Sequence, residues 1–108
     1  MPENVRLHVG LFEDTLPPFA AAHDGPIRFM NVDCDIHSAT KTVLDRLHDR
    51  IVPGTVIAFD EYICNPYWRE DEYKAFQEAV ADHGWRYEYL AFCPFTRQTT
   101  VRIMETQQ

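Results

Sequence analysis

The feature that most constrains this chain is the run Thr55-Val56-Ile57-Ala58-Phe59, nearly all apolar, preceded by Pro53-Gly54 and closed by Asp60-Glu61. A strand with one wet face alternates apolar and polar residues, whereas one apolar throughout is covered on both faces, as in a parallel sheet. Parallel neighbours are joined by a long crossover, usually a helix. The preceding segment has that pattern. Ile27-Arg28-Phe29-Met30-Asn31-Val32 reads as an earlier strand, entered through the turn residues Asp24-Gly25-Pro26. Between the two strands Val43, Leu44, Leu47 and Ile51 recur at helical spacing, with Ser38 as the expected N-cap and Pro53-Gly54 as the expected stop.

Elsewhere, Val5 to Val9 is expected to form a short strand stopped by Gly10. Asp14-Thr15-Leu16-Pro17-Pro18 then starts a loop or short helix. Residues 70–83 form a second helix with Tyr73, Phe76, Ala79 and Val80 as its buried stripe and Gly84 in the left-handed position after it. Residues 87–92 and 99–103 are the last two strands, an antiparallel hairpin. Strands alternating with helices imply an α/β fold with right-handed crossovers, here a single domain over residues 1–108.

In such sheets ligands bind beyond the carboxyl ends of the strands. Both candidate strands end in acids there, Asp33-Cys34-Asp35 and Asp60-Glu61, so the two clusters are expected to face one crevice. Converging carboxylates repel unless a cation sits among them, and Mg²⁺ takes oxygen ligands while keeping positions open for substrate hydroxyls. The competing reading is that Asp35 and Glu61 cap helices or point to water. His37, just beyond the first cluster, is either a general base or an ordinary histidine in the first turn of a helix. Tyr62, Tyr67 and Trp68 either line a substrate pocket or simply pack. Cys34 between two acids is a small buried side chain, since its neighbours disfavour the thiolate.

The net charge of -7 argues against a nucleic-acid partner. No apolar stretch is long enough to span a bilayer. Three widely spaced cysteines, Cys34, Cys64 and Cys93, fit reduced thiols. The start Met1-Pro2-Glu3-Asn4 has no signal-peptide pattern, and a cytoplasmic location is expected. Gly10, Gly25, Gly54 and Gly84 stand alone, so neither a GxGxxG stretch nor a P-loop is formed.

The segments Val32-Asp33-Cys34-Asp35-Ile36-His37-Ser38-Ala39-Thr40 and Val52-Pro53-Gly54-Thr55-Val56-Ile57-Ala58-Phe59-Asp60-Glu61-Tyr62 resemble paired motifs of the macrocin O-methyltransferase family. These are class I S-adenosylmethionine-dependent enzymes acting on sugar hydroxyls. Gly10 with Asp14-Thr15-Leu16-Pro17 resembles the family's preceding segment, and the likeness runs from about Val5 to Ile103. It implies a partial Rossmann-like sheet, mostly parallel with a C-terminal antiparallel hairpin, that lacks the first two strands: the C-terminal half of such an enzyme. By resemblance Asp33, Asp60 and Glu61 fall where Mg²⁺ is held, Gly10, Phe12 and Asp33 lie near the cofactor, and His37 and Asp33 stand at the catalytic positions. The acceptor would be a small-molecule hydroxyl. Glu61 replaces the family's usual Asp, and His37 its usual Tyr. Without the missing strands, the strand at residues 27–32 has a bare edge, which implies a homodimer through that edge or by strand exchange. The alternative to an enzyme portion is a non-catalytic α/β module that oligomerises and binds a cation or a partner.

Overall fold

The structure, a computed structural model, describes residues 10–22, 25–33, 37–60, 72–93 and 98–106. In chain order they form α1 (Phe12–Ala22), β1 (Ile27–Val32), α2 (His37–Arg46), β2 (Ile51–Phe59), α3 (Glu72–His83), β3 (Arg86–Cys93) and β4 (Gln98–Glu105). The expected strand at Val5 to Val9 lies outside the described residues.

The four strands form one sheet in the order β1-β2-β4-β3. β1 and β2 run parallel, while β4 is antiparallel to both β2 and β3. Three strands therefore point one way and the hairpin strand β4 the other, in keeping with the mostly parallel sheet and C-terminal antiparallel hairpin that the family resemblance implied. One face carries Val32, Ile57, Phe59, Val101 and Ile103, which pack with Leu44 of α2 and Phe76 and Ala79 of α3. On the other face Val56 and Ala58 are half-buried, and Phe29 and Met104 are exposed.

The helix between β1 and β2 ends earlier than its apolar spacing implied. α2 stops at Arg46, a tight 3-10 turn spans His48–Arg50, and Ile51 opens β2 opposite Ile27. Ile51 is buried as a strand residue, its β-branched side chain suiting the pleated surface. Nor does Pro53-Gly54 stop the helix. Both lie within β2, where the register jumps from Ile27↔Ile51 to Phe29↔Val56. Two steps along β1 thus face five along β2, and the surplus is gathered into a bulge. Gly54 takes φ 98°, a conformation that side chains with a Cβ rarely adopt. Ser38 sits inside α2 rather than capping it, its carbonyl accepting from Thr42 Oγ1 at 2.8 Å.

Thr55 fastens the bulge. Its hydroxyl donates to Ile27 O at 2.6 Å and accepts from Val52 N–H at 3.0 Å. Thr99 is equally buried, but its hydroxyl has no hydrogen-bond partner. Thr55→Val strands two backbone groups and is expected to cost about 1–3 kcal/mol, whereas Thr99→Val is expected to be neutral or stabilising. Urea denaturation of the two variants checks this; equal losses would contradict the assignment.

α3 begins and ends close to its expected limits. Gly84 takes φ 68°, and Trp85 N–H donates back to Val80 O at 3.1 Å. That is the Schellman closure, which satisfies a carbonyl the helix end leaves open. Phe76, Ala79, Tyr73 and Val80 meet the core as anticipated, and Ala75 and Glu72 are buried with them. The final hairpin also matches, β3 extending one residue beyond its expected limits at each end and β4 one residue earlier and two later.

Candidate functional site

α2 and α3 are tied together by a polar network on their outer side. Lys41 Nζ donates to both oxygens of Asp45, at 3.0 and 2.8 Å, and to Asp82 Oδ2 at 2.9 Å. His83 Nε2 donates to Asp45 Oδ1 at 2.9 Å, and its ring stacks on His48 with centroids 4.3 Å apart. Burial pushes the Asp45 carboxyl up, but the hydrogen bonds from Lys41 and His83 outweigh it and hold the group below the usual carboxylate range. Burial likewise pushes Lys41 down, and its bonds to Asp45 and Asp82 reverse this, leaving it above the usual lysine value.

The depressed Asp45 contributes stability above its unfolded value of 3.8, and this is lost as pH falls through its lower folded value. The raised Lys41 contributes below 10.5, and this is lost as pH climbs through its higher folded value. Because Asp45 is partly exposed, its share is at most about 1 kcal/mol. Thermal melts from pH 7 down to pH 3 are expected to fall less steeply for Asp45→Asn than for the native chain. Parallel curves would exclude the network as a source of acid sensitivity.

At the carboxyl ends of β1 and β2 the structure brings two of the expected acids together. Val32 pairs with Phe59, so Asp33 and Asp60 follow on adjacent parallel strands, about 5 Å apart along the hydrogen-bonding direction. Asp60 N–H donates to Val32 O at 2.9 Å and extends the pairing to the last residue. Its Oδ1 accepts from Gln98 Nε2 at 3.2 Å. Gln98 opens β4, the neighbour of β2, and had no motif to mark it. Glu72, a fully buried acid in the first turn of α3, likewise had no motif to mark it.

His37 is placed by a different contact. It opens α2, four residues after Asp33, and its Nε2 pairs with Glu78 of α3. That bond holds the Glu78 carboxyl below its ordinary range, and it lays the imidazole against the helix layer. Gly10 takes φ 144°, and a Cβ there would meet Thr15 Cγ2 at 3.1 Å, so the turn into α1 needs glycine. Phe12, with Thr15, Leu16 and Phe19, lines a cavity of about 200 Å³ on α1. α1 packs on α2, and Arg50 Nη2 donates to Ala20 O at 2.7 Å. Asp35, Glu61, Cys34 and the aromatic stretch Tyr62, Tyr67 and Trp68 lie outside the described residues.

Asp33 and Asp60 offer oxygen donors only, the chemistry that Mg²⁺ accepts. Among the described residues no three His, Cys, Asp or Glu side chains form a cation-holding group. The third acid of the sequence motif, Glu61, is not among them. No described helix is long and apolar enough to cross a membrane.

Comparison with known proteins sets this geometry in a family. Residues 1–83 match the model of the macrocin O-methyltransferase (TylF) family. The chain superposes with TM-score 0.70 and 26% identity on apo CalS11, described as a TDP-rhamnose 3'-O-methyltransferase of calicheamicin biosynthesis, over 89% of this chain and 40% of that one. A second structure, of CalS11 as calicheamicin methyltransferase, gives TM-score 0.65 at 26% identity, over 86% of this chain and 35% of that one. No curated protein gives a significant sequence match. The chain thus spans less than half the length of these solved relatives. A family match over most of its length and a shared fold lead to one conclusion: the chain belongs to the macrocin O-methyltransferase family.

Proposed function

We propose that this chain is the acceptor-side portion of an S-adenosylmethionine-dependent O-methyltransferase that modifies a hydroxyl of a sugar or similar small molecule. The observation that carries the proposal is the placement of Asp33 and Asp60 side by side at the ends of two parallel strands. The activity ascribed to CalS11, methyl transfer to a TDP-rhamnose, supports this substrate class.

In this reading Asp33, Asp60 and Glu61 hold Mg²⁺, which when bound would lower the pKa of an acceptor hydroxyl. Gly10, Phe12 and Asp33 border the methyl donor. The acceptor oxygen would take the methyl group as the sulfur–methyl bond of the donor breaks and S-adenosylhomocysteine leaves, its proton passing to Asp33 or His37, and the protein's main contribution would be to hold the oxygen in line. With Nε2 of His37 given to Glu78, Nδ1 is the nitrogen left to accept that proton. Cytoplasm is the proposed compartment, on the three separated cysteines.

Isothermal titration of the chain with S-adenosylhomocysteine, with and without Mg²⁺, tests the reading. Measurable heat is expected. None at millimolar ligand would exclude catalysis by this chain alone and leave the second reading, a non-catalytic module that oligomerises. That second reading is favoured by the isolated glycines, which form no cofactor-cradling loop within this sequence.

Either reading includes association through β1. Among the described residues β1 is an edge strand, and Phe29 on it is 61% exposed. It has neither proline nor a bulge of its own to discourage pairing with another chain. Light scattering at micromolar concentration is expected to show a homodimer, converted to monomer by Phe29→Asp. A monomeric native chain would exclude the dimer.

A further inference from the structure

We infer that Gln98 is a positioning residue, whose side-chain amide sets the orientation of the Asp60 carboxylate. The inference rests on the functional reading of Asp60 given above. Among the described residues two bonds hold Asp60. Its N–H donates to Val32 O at 2.9 Å, which fixes the backbone beside Asp33, and its Oδ1 accepts from Gln98 Nε2 at 3.2 Å. The first bond leaves χ1 free; the second does not. With Oδ1 tied to Gln98, Oδ2 is the oxygen left to meet a cation or an acceptor hydroxyl.

Gln98 is well placed for this. It is the first residue of β4, and the next residue, Thr99, pairs with Phe59, the residue before Asp60. The register of two paired strands therefore delivers the amide to the carboxylate, and no loop conformation is needed. Glutamine can donate without adding charge. A lysine here would also bond Asp60 but would repel a cation. Thr99 turns into the buried face and has no hydrogen-bond partner for its hydroxyl, so within this corner of the sheet the polar contact to Asp60 comes from Gln98.

Partners that orient a metal-binding carboxylate commonly change cation affinity by about 10–100-fold when removed. Gln98→Leu keeps the approximate bulk of the side chain and removes the donor. In the native chain the two three-bond Hα–Hβ couplings of Asp60 are expected to be unequal, the sign of one fixed rotamer, and in Gln98→Leu to average to similar values. Mn²⁺ affinity, read by water-proton relaxation, is expected to fall about tenfold in the same variant, with the thermal midpoint unchanged because the bond between the two groups is exposed. Averaged couplings in the native chain, or unequal couplings that persist in Gln98→Leu, would overturn the assignment. If the native chain takes up no Mn²⁺, the cation reading of Asp60 fails, while the couplings still decide for or against Gln98.

Discussion

Phe76→Ala is expected to remove about 3–5 kcal/mol of folding stability, the largest effect of any single replacement considered for this chain. Phe76 is wholly buried and joins the helix layer to the sheet. Its ring meets Phe59 with centroids 5.0 Å apart, Tyr87 at 4.8 Å in an edge-on contact, and Trp85 at 6.3 Å. These partners belong to β2, to β3 and to the turn after α3, so no one element can close the cavity that alanine would leave. Domains of this size have about 5–15 kcal/mol in total, and the variant would lose much of its margin. Phe92, 62% exposed on β3, supplies the contrast. Phe92→Ala is expected to stay within about 0.5 kcal/mol. Urea midpoints and near-ultraviolet dichroism of both variants check the pair, and similar losses would mean that the core has been misplaced.

Asp60→Asn is expected to abolish divalent-cation uptake, or to weaken it by more than the ~10–100-fold typical of an outer-shell change. The substitution keeps the shape of the side chain and the backbone bond from Asp60 to Val32 O, so the sheet end stays intact. What is lost is one of two charges placed side by side. Asp33→Asn is expected to act in the same way from the neighbouring strand. Asp82→Asn removes an acid of equal charge from the outer face of α3, where it pairs with Lys41, and is expected to leave uptake unchanged. Mn²⁺ relaxation titrations of the three variants decide the matter. Equal weakening by Asp82→Asn would reduce the effect to net charge alone.

Much of this was legible in the residues. The apolar run at Val56 to Phe59 marked a central strand, but only one of its faces is fully buried, with Val56 and Ala58 half-buried on the other. The acids that close it lie at the carboxyl end, where α/β sheets commonly bind ligands. Gly84 signalled the end of α3 because a left-handed residue there is one that glycine supplies at little cost. The helix between β1 and β2 ends before its apolar spacing does, for a physical reason. Ile51 continues the helical spacing of Leu44 and Leu47 by coincidence, and only its pairing with Ile27 shows that it belongs to the sheet. Pro53-Gly54 is a turn signal in either setting, but here it forms a bulge. Partners distant in sequence could not be read at all. Gln98 reaches Asp60 from 38 positions away, and Glu78 reaches His37 from 41. Neither spacing follows from local periodicity, since both depend on which strands and helices become neighbours.

The central claim is that the paired strand ends at Asp33 and Asp60 form the site. Substoichiometric Mn²⁺ added to isotope-labelled protein tests it most directly, because the ion broadens the amide resonances nearest to it. The signals of Asp33, Asp60 and Gln98 are expected to vanish first, with those of the α2–α3 network around Asp45 and Asp82 persisting. Broadening that begins at Asp45 and Asp82, or spreads evenly over the acidic surface, would contradict it.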